Sequence, residues 1–424
     1  MQKSDCVYNN CLRVLNEELL PAFGCTEPIA VAYAAALARD ALGAIPAQVS
    51  IVCSGNIIKN VKSVIVPNSG NLKGLQAAAS AGIIAGRSEK KLELLTEVTD
   101  KDRIKMREYL KNTEFSIKLS DSSSSFDIVI EVKKENNRAV VRIANFHTNV
   151  VLIQHNDKVI LSKDVAAEVD GEFQNCSILT VERILDFADS VDIMAVKSLL
   201  DRQISCNMAI AKEGLRGNYG ANIGSVMLCY DQSLRTKVKA MAAAGSDARM
   251  SGLEMTVIIN SGSGNQGIAV CVPIVEYARE KKIEPEKVYR ALVLANLLAI
   301  YQRSGIGCLS AYCGAINAGV ASACGIAYLE KGTYDIIAHT LVNGLAIASG
   351  VICDGAKASC ASKIVVGIEA GLTGYDMYRN GQQFYGGDGI VKHGVEETIA
   401  SVARLGRYGM QETDKEILKI MIGD

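Results

Sequence analysis

Gly-Cys-Leu-Ser-Ala-Tyr-Cys-Gly-Ala-Ile-Asn at 307–317 and Gly-Val-Ile-Cys-Asp-Gly-Ala-Lys-Ala-Ser-Cys-Ala-Ser-Lys at 350–363 enclose an apolar run rich in Gly and Ala, and the reading of that run decides the fold. Residues 313–329 and 336–353 raise a membrane reading, yet each is shorter than the roughly 20 apolar residues a spanning helix needs. Asn317, His339 and Asn343 also interrupt them. They are expected to be buried helices of a soluble protein, with Gly314, Gly319 and Gly325 letting neighbouring helices approach closely. Within the same stretch Cys353 and Cys360 flank an Asp-Gly turn, and Cys313 lies forty residues earlier. These three do not form the paired C-x2–4-C knuckles of a structural zinc site. Thiolates from separate segments suit a bulkier group such as an iron–sulfur cubane. On spacing alone, buried free cysteines acting as small hydrophobes are the simpler reading.

The remaining composition narrows the function. The chain has 424 residues, enough for two or three domains, and its 45 basic and 46 acidic residues leave a net charge of −1. Without a basic surplus, without tryptophan and with few aromatics, it has neither the electrostatic nor the stacking surface for nucleic acid. Thirteen cysteines is a high and odd number, and the first residues, Met1-Gln-Lys-Ser-Asp-Cys, hold no apolar signal core. A reducing cytoplasm is expected, where clustered cysteines bind metal or do chemistry more often than they pair.

Taken in order, residues 5–20 carry Val7, Cys11, Val14, Leu15 and Leu19 at helical spacing. After Pro21-Ala-Phe-Gly comes Cys25-Thr26-Glu27-Pro28 and an alanine-heavy helix from Ile29 to Leu42. Thr26 reads as its N-cap, with Pro28 in the first turn. Cys25 would then lie just outside a helix N-terminus, where the dipole lowers a thiol's pKa; an inert buried cysteine is the equal alternative. Residues 48–53 alternate as a strand, 74–86 and 89–110 read as helices, and 126–133, 139–145 and 149–153 alternate as strands. His147 and His155 fall on these strand edges, where surface or packing roles are expected rather than metal ligation. From 177 onward the chain reads as helical, broken by glycine-rich loops at 217–224, 261–267 and 385–394. The loop Ser261-Gly-Ser-Gly-Asn-Gln-Gly lacks the Lys-Ser/Thr of a phosphate loop, but its N–H groups could hold a carboxylate. The expected class is therefore α+β: a mostly helical, discontinuous catalytic domain of 1–44 plus 164–424, with a smaller α+β domain inserted at 45–163.

Four motifs together carry a resemblance. Phe-Gly-Cys-Thr-Glu-Pro-Ile-Ala (23–30), Asn-Ser-Gly-Ser-Gly-Asn-Gln-Gly (260–267), Leu-Ser-Ala-Tyr-Cys-Gly-Ala (309–315) and Cys-Asp-Gly-Ala-Lys-Ala-Ser-Cys-Ala-Ser-Lys (353–363) resemble the L-cysteine desulfidase family, related to the iron–sulfur-dependent L-serine dehydratases. The resemblance spans essentially the whole chain, in order. It implies a [4Fe-4S] cluster on Cys313, Cys353 and Cys360, a catalytic base at Cys25, and substrate binding by the loop that holds Ser261, Ser263, Asn265 and Gln266. The implied reaction is α,β-elimination of L-cysteine to pyruvate, ammonia and sulfide, with the cluster as a non-redox Lewis acid. L-Serine dehydration by the same route is the alternative. Some serine dehydratases return a carboxy-terminal cysteine to the open iron; the last residues here, Met-Ile-Gly-Asp, hold none. Cys308 and Cys324, beside the cluster motif, are taken as core. A pyridoxal phosphate lyase using Lys357 or Lys363, a non-catalytic redox sensor and a membrane carrier are the rival readings. The partners expected are a small amino-acid substrate and further copies of the chain, with no nucleic acid and no membrane.

Overall fold

The computed structural model describes residues 1–122, 124–165, 176, 178–307 and 309–423. The fold is α+β, as expected. Alternating Val49, Ile51 and Cys53 build β2 (Gln48–Cys53), which enters a mixed six-stranded sheet with β3 (Glu114–Leu119), β4 (Asp127–Lys134), β5 (Asn137–Ala144), β6 (Val150–His155) and β7 (Lys158–Ser162). The order is β3-β2-β4-β5-β6-β7; β2 and β3 run parallel and every other pair antiparallel. A parallel pair needs a long crossover, and α3 (Gly55–Val61), α4 (Leu75–Ala85) and α5 (Asp100–Asn112) supply it. The helix expected over 89–110 is split: 88–93 form a 3-10 turn, and α5 restarts where Thr99 and Asp102 make a reciprocal capping box. Strands β3 and β7 escape the sequence reading because both are sheet edges with mostly exposed side chains, so neither carries a buried alternating face.

The helical array holds α6 (Val181–Ser190), α7 (Ile193–Arg216), α8 (Ile223–Tyr230), α9 (Leu234–Met250), α10 (Gly264–Lys281), α11 (Pro285–Ser304), α12 (Gly314–Leu329), α13 (Tyr334–Ala348), α14 (Cys360–Arg379), α15 (Val395–Arg404) and α16 (Gln411–Ile422). No helix among the described residues is long and apolar enough to cross a membrane. Helix α12 is buried on nearly every side and packs against α10, α11, α13 and α14. Its approach to α14 is a glycine contact: a Cβ on Gly319 would stand 2.5 Å from the Gly367 carbonyl carbon. The last helix, α16, packs against α3 of the sheet layer.

The amino-terminal segment is shared between the two layers. Helix α1 (Cys6–Glu18) packs against α6, α7 and α11, whereas α2 (Thr26–Leu42) lies on the sheet and α4. Between them β1 (Pro21–Phe23) pairs antiparallel with β8 (Thr256–Ile258), Pro21 opposite Ile258 and Phe23 opposite Thr256. That two-stranded ribbon is the hinge point of the architecture, because it ties the chain before Cys25 to the chain before the 260–267 loop.

The buried cysteines of this core give the first expected result. Burial pushes the Cys11 and Cys176 thiols from about 9 up to about 12. A folded-state value above the unfolded one adds stability that is complete below the unfolded pKa and is lost as pH rises through the folded pKa. The melting temperature should therefore fall as pH climbs from about 9 toward about 12. Calorimetry of Cys11→Ala against the parent chain checks this, since the variant should lose less over that window.

Candidate active site

Four helix N-termini converge on one buried cavity. Cys25 is the N-cap of α2, Ser263 of α10 and Cys313 of α12, and Cys360 is the first residue of α14. All four line the same cavity of about 90 Å³, room for several waters. Each N-terminus presents the positive end of a helix dipole. Their convergence builds a space suited to negative charge, whether carboxylate, thiolate or anionic cluster.

Long-range pairing assembles it. The β1–β8 ribbon, extended by the Ile259 N–H donating to the Leu20 carbonyl at 2.9 Å, brings Cys25 and the 260–266 loop to one wall. On the other wall a single antiparallel bridge, Tyr312 with Ile352, joins the two cysteine segments. The Cys313 N–H donates to the Val351 carbonyl at 3.1 Å and the Cys353 N–H to the Ala311 carbonyl at 2.6 Å. The Asp354-Gly355 turn then returns the chain to Cys360, whose thiol donates to the Gly355 carbonyl at 3.7 Å. Gly355 has φ +91°, and a Cβ there would stand 2.6 Å from the Lys59 carbonyl oxygen, so the turn requires glycine.

Three lysines hold this turn. Buried Lys59 donates to the Cys353 carbonyl at 3.2 Å and pairs with Asp414 of α16. Lys357 and Lys363 both pair with Asp354, and Lys363 also donates to the Ile352 carbonyl at 2.8 Å. The two lysines that a Schiff-base mechanism would use are thus engaged in fixing the cysteine loop.

Among the described residues no three His, Cys, Asp or Glu side chains stand close enough to share one metal ion. A cubane attaches each cysteine to a different iron and so spreads its ligands more widely than one ion does. Cys313, Cys353 and Cys360 around one cavity suit that larger group and not a mononuclear centre. Burial, with Cys353 beside it, pushes the Cys313 thiol up to about 12, and burial raises Cys360 too. Ligation requires thiolates and would release these protons.

Across the cavity stands a group that only partly matches the sequence expectation. Cys25 is itself the N-cap, with Thr26 inside the helix, and its thiol is raised rather than lowered. Burial is the main cause and the Glu27 carboxylate the next; together they outweigh the helix dipole. The Cys25 thiol donates to Glu27 Oε2 at 3.3 Å, where the Thr26 hydroxyl also donates at 3.0 Å, and Asn60 Nδ2 donates to Oε1 at 3.1 Å. Burial opposes ionisation of Glu27, but His147, its own backbone N–H, Arg249 and the Cys25 thiol prevail and hold it below the usual carboxylate range. The helix N-terminus therefore serves Glu27, in the first turn, and Cys25 rests protonated against it.

Several residues of this site were not found in the sequence. His147, expected at a strand edge in a surface or packing role, is buried and lines the cavity, and burial lowers its pKa. Arg249, at the end of α9, donates to the Gly24 carbonyl at 3.0 Å. A buried arginine on an alanine-rich helix was the available signal. Asn60 is on α3. Of the loop residues, Ser261 donates its hydroxyl to Asn260 Oδ1 at 2.9 Å, and the Gln266 amide lies over Gly314 beside Cys313. Ser261, Ser263, Asn265 and Gln266 all line the cavity. Cys324 is buried in α12, as expected of core, while Cys308 lies outside the described residues.

Asn60 Oδ1, His147 Nε2, Arg249 Nε, Asn265 Oδ1 and Gln266 Oε1 are buried without a hydrogen-bond partner, and all five residues line this cavity. An unmet buried polar atom costs about 1–3 kcal/mol. Five on residues that line one space mark where a polar ligand belongs.

Comparison with known proteins identifies the family. Residues 89–419 match the family model described as serine dehydratase alpha chain. The chain belongs to the serine dehydratase alpha-chain family. The matched span contains the three clustered cysteines and the 261–267 loop, while Cys25 precedes it. Relatives extend over both. UPF0597 protein DSY1109 of Desulfitobacterium hafniense is 53% identical across 100% of this chain and 98% of its own length. A UPF0597 protein of Lachnoclostridium phytofermentans is 46% identical over 98% of this chain and 100% of its own, and one of Fusobacterium nucleatum is 40% identical over 97% and 98%. In this family member the amino-terminal motif and the cysteine loop thus belong to one continuous homologous unit.

Proposed function

We propose that this chain is an iron–sulfur-dependent amino-acid lyase that eliminates sulfide from L-cysteine. The observation that carries this is the meeting of Cys313, Cys353 and Cys360 with the buried Cys25–Glu27 pair across a cavity ringed by helix N-termini. When bound, a [4Fe-4S] cluster on the three cysteines supplies a Lewis-acidic iron at the corner that lacks a protein sulfur, without redox change.

The chain's own groups do the rest. Arg249, with an unpartnered Nε, takes the substrate carboxylate, assisted by the N–H groups at the start of α10. Asn60, Asn265 and Gln266 offer acceptors to the ammonium group, and either end of each amide can be turned to it. Cys25 passes its proton to Glu27 and removes the Cα proton of the substrate, while the β-sulfur leaves as sulfide. The product, 2-aminoacrylate, adds water and breaks down to pyruvate and ammonia. Burial of the pair keeps water from competing for the base.

The family description favours a second reading, in which L-serine is the substrate and water leaves. Both use the same base and the same electrophile. Anaerobically purified protein given each amino acid, with pyruvate and sulfide followed together, tests them. Pyruvate from neither, in a preparation holding iron and sulfide, would reject both. A homo-oligomer belongs to the same proposal and is checked by light scattering.

Arg249→Lys keeps the charge but loses the planar fork and the Nε donor. KM for the amino acid should rise about 10- to 100-fold with a smaller change in kcat, since a carboxylate contact serves ground and transition states alike. Equal KM in variant and parent would remove Arg249 from substrate binding.

A further inference from the structure

The buried site has a neighbour. A cavity of about 460 Å³ abuts it, and His147, Ser261 and Gly262 line both, forming a shared wall. The wall is thin and conformationally unusual. Ser261 (φ +49°) and Gly262 (φ +75°) are consecutive left-handed residues, a strained state for serine. Buried His147 contributes an Nε2 without a partner.

The far side of this chamber is acidic. Glu17 and Glu18, at the end of α1, line it, and its described lining holds no lysine or arginine. Glu17 is exposed, so the chamber reaches solvent there, while Glu18 is half-buried and accepts the Ser261 backbone N–H. Burial pushes the Glu18 carboxyl up to about 7, and Glu17 adds to the rise. A carboxyl held high by burial and a like charge is one that an incoming cation would relieve. A different cavity, of about 640 Å³, touches the buried site past Leu309 and Ser310 and is lined by serines, Arg407 and Lys415.

We propose that the chamber between α1 and the Ser261–Gly262 turn is the passage by which an ammonium-bearing amino acid reaches the buried site. Its ammonium group is drawn by Glu17 and Glu18, and His147 receives it at the shared wall. This rests on the amino-acid substrate proposed above, but its test does not use turnover. Cys25 lies inside the buried site and reports who can enter. The anaerobic, full-length protein is treated with 2-aminoethyl methanethiosulfonate, a small ammonium reagent, or with its 2-sulfonatoethyl counterpart, an anion. Labelling of Cys25 is followed by peptide mass spectrometry, with the exposed Cys229 of the same chain as the internal rate standard.

Relative to Cys229, the ammonium reagent should label Cys25 about tenfold faster than the sulfonate. The double variant Glu17→Gln, Glu18→Gln should abolish that preference, and Thr148→Trp, on the chamber wall, should slow both reagents about tenfold or more. No cation preference, or slowing by Ser124→Trp in the other cavity but not by Thr148→Trp, would each overturn the passage. If only Thr148→Trp fails to fold, the charge preference decides. Absence of elimination would sink the lyase and leave this result standing.

Discussion

Cys25→Ala retains the iron content and visible absorbance of the anaerobically purified protein and loses elimination by about 10²–10⁴-fold, the range for removing a positioned acid–base group. The argument is one of position and of charge. Cys25 lines the same cavity as Cys313, Cys353 and Cys360 but caps a different helix, on the wall made by β1 and β8. Its thiol already has a partner, Glu27, which accepts hydrogen bonds from Cys25, Thr26 and Asn60 and which, against the cost of burial, His147, its own backbone N–H, Arg249 and the Cys25 thiol hold below the usual carboxylate range. Removing the sulfur deletes the group that faces the substrate and leaves the carboxylate with two of those three donors. The cluster loop, fixed by Lys59, Lys357 and Lys363, is untouched. Iron analysis and pyruvate release on the same preparation check the pair of outcomes. Loss of colour would instead make Cys25 a ligand.

Cys353→Ala abolishes the cluster itself, with iron and acid-labile sulfide falling to background and activity falling with them. Cys353 is centrally placed among the three: its N–H is bonded to Ala311, its carbonyl to Lys59, and the turn it opens leads to Cys360. Those backbone bonds survive the substitution, so the loop keeps its course and only the sulfur is removed. Cys324→Ala is the control. That thiol is fully buried in α12 beside the Ile337 carbonyl and does not line the cavity. Removing it should leave iron unchanged and cost about 1 kcal/mol or more of stability through the void it leaves. Iron unchanged in Cys353→Ala would reject the ligand set.

The legible parts of the molecule were the local ones. The strands at 48–53, 126–133 and 139–145 were visible because each has an alternating buried face, and that at 149–153 by its β-branched residues, although it buries only Val150 and Val151. The edge strands β3 and β7 were not, because they bury little on either side. The cysteine trio and the 261–267 loop stood out by residue type, and all of their predicted members line one cavity. His147 did not stand out, since nothing near it in the chain marks it as buried, and Arg249 carried only the weak signal of its alanine-rich helix; contacts from distant segments bury both.

Most of the helices and the inner strands, the burial of the Gly- and Ala-rich run as helix, and the chemical equipment of the site were written in the chain, because periodicity, capping and residue type act over a few neighbours. The meeting of four helix N-termini, the Tyr312–Ile352 bridge that unites the cysteine segments, and the protonated state of Cys25 belong to the tertiary structure alone. Local sequence placed Cys25 at a helix start and so pointed to a thiolate. Folding buried it against Glu27, and in a dry interior desolvation and a neighbouring negative charge outweigh a helix dipole.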